Sequence, residues 1–289
     1  MKKWNLVIDV PKCFNCNACA LTCHDEYYDN EFPGVSAGMP RLGHRWIDIR
    51  QREIGKFPVV EVSYLPVTCN HCDDPPCLKA ARDGAVQKRA DGIVIIVPEK
   101  ARGQKQLVAA CPYGAISWNE EKQLPQAWPF DAHLLDAGWT QTRGSQVCPT
   151  RAMRTLHVED AEMQRIVREE GLTVLHPEYG TRPRVYYKNF ERWSKVFIAG
   201  SVAGEICGPM GKLLECIEGA RVALEKDGAR LGETLSDAYG DFRFSGLDGE
   251  SGTYRLRIEE ARFAPKTLEV ALGQSAVLGD IVLEGQPAA

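Results

Sequence analysis

The sequence predicts an α+β protein in two parts. Residues 1–194 form a cysteine-bearing region held together by metal, and residues 195–289 form an all-β sandwich. Three observations carry this reading. Nine of the 11 cysteines lie before residue 150, in short-spaced groups. That same region has few long periodic apolar runs, so metal sites acting as staples supply what a large apolar core does not. From about residue 195 cysteine nearly vanishes and period-two alternation takes over.

Within the first part, Trp4 to Val10, Arg45 to Arg50, Gly92 to Val97 and Ile116 to Trp118 read as short strands. Residues 159–171 have helical spacing, with Met163, Ile166 and Val167 on one face. Pro183 to Asn189 is an extended basic and aromatic strip, and Arg182 to Lys188 reads either as a docking segment or as an ordinary strand with exposed charges. In the second part, Phe197 to Val202, Ala220 to Leu224, Phe242 to Phe244, Tyr254 to Ile258, Thr267 to Leu272 and Ile281 to Leu283 read as strands. Turns such as Asp227-Gly228, Tyr239-Gly240-Asp241 and Asp248-Gly249 separate many of them, the mark of a small sandwich. The pattern Gly219-Ala220-x-Val222-x-Leu224, Thr234-x-x-Asp237-x-x-Gly240-x-Phe242, Gly252-x-Tyr254 resembles the carboxypeptidase-regulatory or transthyretin-like sandwich. That resemblance implies a structural or docking module.

The 289 residues suit two domains at ~150 residues each. A net charge of −4 argues against nucleic acid as the main partner. No apolar run reaches membrane-spanning length. The N-terminus Met1-Lys2-Lys3-Trp4 lacks an apolar export segment and a twin arginine, which favours the cytoplasm. A disulfide framework belongs to small secreted chains, and this chain has neither mark.

Cys13-x-x-Cys16-x-x-Cys19-x-x-x-Cys23 has the spacing of a bacterial ferredoxin. Three closely spaced thiolates wrap three corners of a [4Fe–4S] cubane, and the fourth turns toward a neighbouring cluster. Zinc, the chemical rival, is usually held by two ligand pairs rather than by a triple. A second group, Cys69-x-x-Cys72-x4-Cys77, offers three thiolates, but Ala81 stands where a fourth cysteine is expected. Cys111-Pro112 and Cys148-Pro149 have the form in which ferredoxin motifs end. Their upstream positions are degenerate: Leu107, Gln104 and Ala101 in one, Gly144, Asp131 and Trp128 in the other. In a two-cluster ferredoxin arrangement, three cysteines of one motif share a cluster with the last cysteine of its partner. The expected ligand sets are therefore Cys13, Cys16, Cys19 and Cys148 for one [4Fe–4S] cluster and Cys69, Cys72, Cys77 and Cys111 for a second. Cys23 is left over, as a buried thiol or as part of a degenerate metal site with Asp131. His24, His44, His71 and His133 read as hydrogen-bonding residues near sulfur or an interface. Cys207 and Cys216 read as ordinary thiols, with a disulfide as the alternative.

Four such motifs in this order resemble the iron–sulfur subunits of the molybdopterin (dimethyl sulfoxide reductase) family. Gly43-His44-Arg45-Trp46, Asp91-Gly92-Ile93-Val94, Cys111-Pro112-Tyr113-Gly114, Trp118-Asn119-Glu120-Glu121, Ala132-His133-Leu134-Leu135-Asp136 and Pro183 to Asn189 resemble, more narrowly, the small subunits of transhydroxylases and hydroxylases of phenolic rings. The resemblance implies a non-catalytic electron-transfer subunit working with a large catalytic partner that carries molybdenum bis(pterin guanine dinucleotide), in a heterodimer or larger heteromer. It also implies that the two expected clusters are the ends of a row whose middle members are missing. A respiratory reductase needs a continuous wire and a transhydroxylase does not. The sequence therefore favours hydroxyl transfer over respiration, with a respiratory electron-transfer subunit and a purely structural protein as the alternatives.

Overall fold

The computed structural model describes residues 1–208 and 211–285. The chain divides into two compact units. The first comprises Met1–Gln51 and Ser63–Trp193, the second Arg52–Val62 and the chain from Ser194 onward.

The first unit begins with strand β1 (Lys3–Asp9) and helix α1 (Ala18–Tyr27). A long hairpin follows, β2 (Ile47–Lys56) and β3 (Val59–Thr68), whose tip belongs to the second unit. Two short hairpins come next, β4 (Val86–Lys88) with β5 (Val94–Ile96) and β6 (Ser117–Asn119) with β7 (Leu124–Gln126). Strand β8 (Met153–Val158), the helix Asp160–Glu170 and strand β9 (Val185–Lys188) complete it. β1 lies between antiparallel β8 and parallel β9. A strand paired on both edges and packed on both faces needs a continuous apolar run rather than alternation, as Trp4 to Ile8 nearly supplies. Trp4, Leu6 and Ile8 join the main core with Tyr27, Trp46, Trp128 and Phe130, whereas Val7 joins a smaller one with Met163, Leu172 and Tyr186. Met163 is the buried anchor of its helix and Ile166 and Val167 pack beside it, so the helical face read from the sequence is the one that packs.

The strip from Pro183 to Asn189 contains the expected strand, β9, with Arg182 before it exposed and Lys188 partly exposed; Arg184 is the charge that departs from the reading. Val185, Tyr186 and Tyr187 are buried in β9. Arg184, only 2% exposed, is turned inward by Asp73, with Nε–Oδ1 2.7 Å and Nη2–Oδ2 2.6 Å. Arg184 is buried because the aromatic rings that follow it complete the core and Asp73 pairs with its guanidinium.

The second unit is an all-β sandwich of strands β10 (Val196–Gly208), β11 (Gly211–Cys216), β12 (Arg221–Lys226), β13 (Ala229–Leu235), β14 (Asp241–Leu247), β15 (Gly252–Glu259), β16 (Lys266–Leu272) and β17 (Ala276–Leu283). One sheet runs β11-β10-β14 with β17 parallel to β10, and the other runs β13-β12-β15-β16. Their facing side chains, among them Ile198, Val222, Leu224, Phe242, Leu256, Ile258 and Leu283, form one core. The Asp237-x-x-Gly240 pattern has a local cause. Asp237 Oδ1 accepts the amides of Tyr239 and Asp241 at 2.9 Å each, and Gly240 takes φ +80° against the Val202 carbonyl, where a Cβ would come within 2.4 Å. Cys216 is an exposed free thiol; the side chain of Cys207 lies outside the described residues. Among the described residues no helix is long and apolar enough to cross a membrane.

Candidate metal centres

All nine N-terminal cysteines fall in the first unit, and the backbone presents them in two matching halves. In the leading half, Cys13-x-x-Cys16 and Cys69-x-x-Cys72 each place a residue of positive φ third in the turn, Asn15 (61°) and His71 (45°). The amide of Asn15 is hydrogen bonded to the Cys13 sulfur and that of His71 to the Cys69 sulfur. In the trailing half, the short helices Gln106–Ala110 and Arg143–Val147 each run into a Cys-Pro step. A residue of positive φ follows, Gly114 (66°) or Arg151 (54°). The amide four residues after each cysteine then donates to its sulfur, Ala115 to Cys111 at 3.4 Å and Ala152 to Cys148 at 3.2 Å. The sequence reading missed this turn. Its signal is the shared Cys-Pro-x-x-Ala at 111 and 148.

The thiols group by fours. Burial raises the pKa of Cys13, and the charges of Cys148 and Cys16 add to it. Burial pushes Cys19 up to about 12, helped by Cys13, Cys148 and Cys16. In the other group burial raises Cys69 well above the thiol range, with Cys111, Cys77 and Cys72 reinforcing it. Cys77 is pushed up to about 12 by burial first and then by Cys111 and Cys72. Crowded thiols, of which Cys13 and Cys19 in one set and Cys69, Cys72 and Cys77 in the other are pushed up by burial, suit a polycation that neutralises their thiolates. Among the described residues no three His, Cys, Asp or Glu side chains converge tightly enough to hold a single metal ion.

The surroundings fit a sulfur-rich cofactor as well. Cys69, Cys72, Cys77 and Cys111 line one cavity, walled by Pro75, Pro76, Val94, Ile96 and Ile116. Asn70 and His71, between two of these cysteines, are 2% and 1% exposed. The Asn70 side-chain Nδ2 and His71 Nε2 have no protein partner among the described residues, leaving N–H donors of the kind cluster sulfurs accept. His71 Nδ1 accepts the Val94 amide at 3.1 Å, and burial drives the imidazole pKa down to about 3, so the ring is neutral.

The degenerate positions are filled by protein. Trp128 and Phe130 are among the largest fully buried side chains. Asp131, 1% exposed, accepts Tyr27 Oη and Trp128 Nε1 on Oδ1 and the Arg143 amide on Oδ2, each at 2.8 Å. Cys23 lies beside it, and burial, reinforced by the Asp131 carboxylate, raises the thiol far above its usual range. This is a protonated thiol next to a carboxylate that is already satisfied. Gln104 plays the corresponding part in the other degenerate motif. Its Oε1 accepts the Arg82 amide at 3.0 Å, and its Nε2 donates to the carbonyls of Arg82 and Lys100 at 3.1 and 2.9 Å. Leu107, Val86 and Val94 close a small core there with Ala81 packed against it.

The remaining histidines of the sequence reading hydrogen bond to backbone carbonyls and a carboxylate within the unit. His44 Nε2 pairs with the Trp118 carbonyl at 3.0 Å and His24 Nε2 with that of Arg41 at 3.1 Å. His133 Nε2 meets Glu26 at 2.8 Å, and its ring stacks on Phe32.

Residues 60–158 match the 4Fe-4S dicluster domain and residues 202–284 the carboxypeptidase regulatory-like domain. The pyrogallol hydroxytransferase small subunit of Pelobacter acidigallici is 41% identical over 262 residues, 90% of this chain and 91% of that one. A sulfite dehydrogenase subunit of Allochromatium vinosum is 31% identical over 65% of this chain and 83% of that one. The arsenate respiratory reductase iron–sulfur subunit of Shewanella sp. (strain ANA-3) is 37% identical over 46% of this chain and 52% of that one.

Proposed function

The chain belongs to the iron–sulfur small-subunit family of the molybdopterin oxidoreductases, and from that premise we propose that it is the electron-transfer subunit of a hydroxytransferase or hydroxylase acting on phenolic rings. The observation that carries this reading is the 41% identity to the pyrogallol hydroxytransferase small subunit, which runs through both domains. Two [4Fe–4S] clusters are held, one by Cys13, Cys16, Cys19 and Cys148, the other by Cys69, Cys72, Cys77 and Cys111. The grouping of the thiols by mutual charge and the matching turns around them support this assignment. The clusters supply one-electron storage and transfer. The protein's part is to present thiolates, donate amides to sulfur and exclude water. The buried residues Trp128, Asp131 and Gln104 take up the room of the two middle clusters, so the chain retains the ends of a row. Catalysis sits on a large partner carrying molybdenum bis(pterin guanine dinucleotide), in a heterodimer or larger heteromer working in the cytoplasm.

Iron and acid-labile sulfide per chain, measured on anoxically purified heteromer with the partner's own metal subtracted, test this. About eight of each is expected, and about twelve overturns the two-cluster reading. Hydroxyl exchange between two phenols without added electron acceptor supports the hydroxytransferase. The similarity to the sulfite dehydrogenase chain supports a second reading, an electron-transfer subunit of an oxidoreductase for small oxoanions, and turnover only with an external acceptor favours it.

A further inference from the structure

Lys88 ends strand β4 directly behind the turn that carries Cys69 and Cys72. Its Nζ donates to the carbonyls of His71 (2.9 Å), Cys72 (2.8 Å) and Gly92 (2.7 Å) and lies 3.1 Å from Asp73 Oδ1. Four oxygens around one nitrogen require an ammonium, because a neutral amine has two N–H donors and would aim its lone pair at an oxygen. The side chain is 19% exposed, so water screens the charge weakly. The Asp73 carboxylate does not cancel it. That carboxylate is shared with Arg184, which grips it in two places; Arg184 also meets Asp160 at 3.1 Å, itself paired with Lys3, so three cations face two anions behind the turn.

The bonds also set the direction of the loop amides. A trans peptide points its carbonyl and its N–H opposite ways. With the His71 carbonyl tied to Lys88, the N–H of the same peptide, that of Cys72, turns toward its own sulfur, where it is hydrogen bonded. The matching turn of the first set does this job with a neutral donor, and the nearby cation, Arg45, is solvent-exposed and bonds to Asn17 Oδ1 rather than to the turn's carbonyls. The carbonyl of Asn15, which corresponds to His71, is held by the neutral side-chain amide of Asn17 at 2.9 Å. The two sets thus share a turn and differ by one buried positive charge.

We propose that Lys88 is a potential-setting residue: its buried ammonium raises the reduction potential of the cluster held by Cys69, Cys72, Cys77 and Cys111, so that an electron entering the subunit comes to rest there. An added electron makes a cluster more negative, and a fixed cation in a poorly screened site favours that state over the oxidised one. The inference rests on the ligand assignment given under the proposed function.

The test is a redox titration followed by electron paramagnetic resonance, on anoxically purified heteromer whose iron has been counted. Lys88→Met removes the charge at similar length, Lys88→Gln removes it but keeps an amide donor, and Lys88→Arg keeps it. Lys88→Met and Lys88→Gln are expected to move one cluster's midpoint to lower potential and leave the other in place, with Lys88→Arg near the wild type. An unmoved midpoint in a charge-removing variant that retains its iron overturns the proposal, as does an equal shift of both clusters. If Lys88→Met sheds iron, Lys88→Gln decides the question in its place. About eight irons with no shift refutes the role of Lys88 alone, whereas wild-type protein without iron at these cysteines refutes the ligand assignment with it.

Discussion

The Cys13 set and the Cys69 set are built on one backbone plan and placed in different surroundings. Each has a Cys-x-x-Cys turn with a positive-φ residue third and a Cys-Pro-x-x-Ala turn returning an amide to sulfur. The Cys13 set reaches the surface: Cys16 is exposed, and the ion pairs near Cys148, such as Glu170 with Arg154 and Lys188, face solvent. The Cys69 set is enclosed, with Asn70 and His71 buried between its ligands and the Lys88–Asp73–Arg184 charges packed behind it. Ligand geometry is therefore a property of the local turn. Environment is a property of what the rest of the chain packs against it, and it is there that the two sites can acquire different chemistry.

Removing one thiolate tests the division most severely. Cys148→Ser and Cys111→Ser are each expected to lose about half of the roughly eight irons per chain, from different clusters. Iron analysis combined with electron paramagnetic resonance distinguishes them, and loss of the same signal in both variants breaks the division into two sets. The next effect is energetic. Arg184→Met removes the two-point grip on the Asp73 carboxylate but leaves Lys88 beside it, at a cost of about 1.5–3 kcal/mol for lost hydrogen bonds between charged groups. Denaturant unfolding of the purified heteromer reads this, and a change under about 1 kcal/mol would place the pair with ordinary surface salt bridges.

The exposed pairs beside the Cys13 set supply the contrast. Glu170→Gln is expected to cost less than about 1 kcal/mol. The Arg154 hydrogen bond, with Lys188 assisting, holds the Glu170 carboxyl below its ordinary range. A depressed folded pKa contributes stability that is present above the unfolded value, near 4.3 for Glu, and lost as pH falls through the folded one. Thermal midpoints of the wild type should therefore drop relative to Glu170→Gln below about pH 4, and a difference that persists unchanged at pH 3 removes the carboxylate as its source.

Much of this was legible in the sequence because cysteine spacing is a short-range code. The Cys-x-x-Cys turns and the Cys-Pro steps are set within a few residues, and the alternation of β12, β15 and β16 follows from a sandwich core. What stayed hidden is long-range. Lys88 lies 16 residues from Cys72, and a lone lysine in a strand carries no mark of the carbonyls it will meet. Arg184 and Asp73 are 111 residues apart, so the strip around Arg184 reads as surface charge until β9 docks beside β1. Strand β13 was missed because it is mostly exposed, with Gly232 and charged residues breaking its apolar pattern.

Cys23 gives the smallest effect and the sharpest use of the comparison. It sits four residues beyond Cys19 on the same buried face of α1. By spacing alone it is as good a ligand as its neighbours. Its surroundings differ from both thiol sets: the charge that acts on it most is that of Asp131, whose oxygens are already taken by Tyr27, Trp128 and the Arg143 amide. A cation entering there must displace three hydrogen bonds and ionise a thiol that burial keeps protonated. Cys23→Ser is therefore expected to leave iron and sulfide unchanged while Cys148→Ser halves them. Equal iron loss in the two variants would show that the spacing of a cysteine, and not its packing, decides whether it binds iron in this fold.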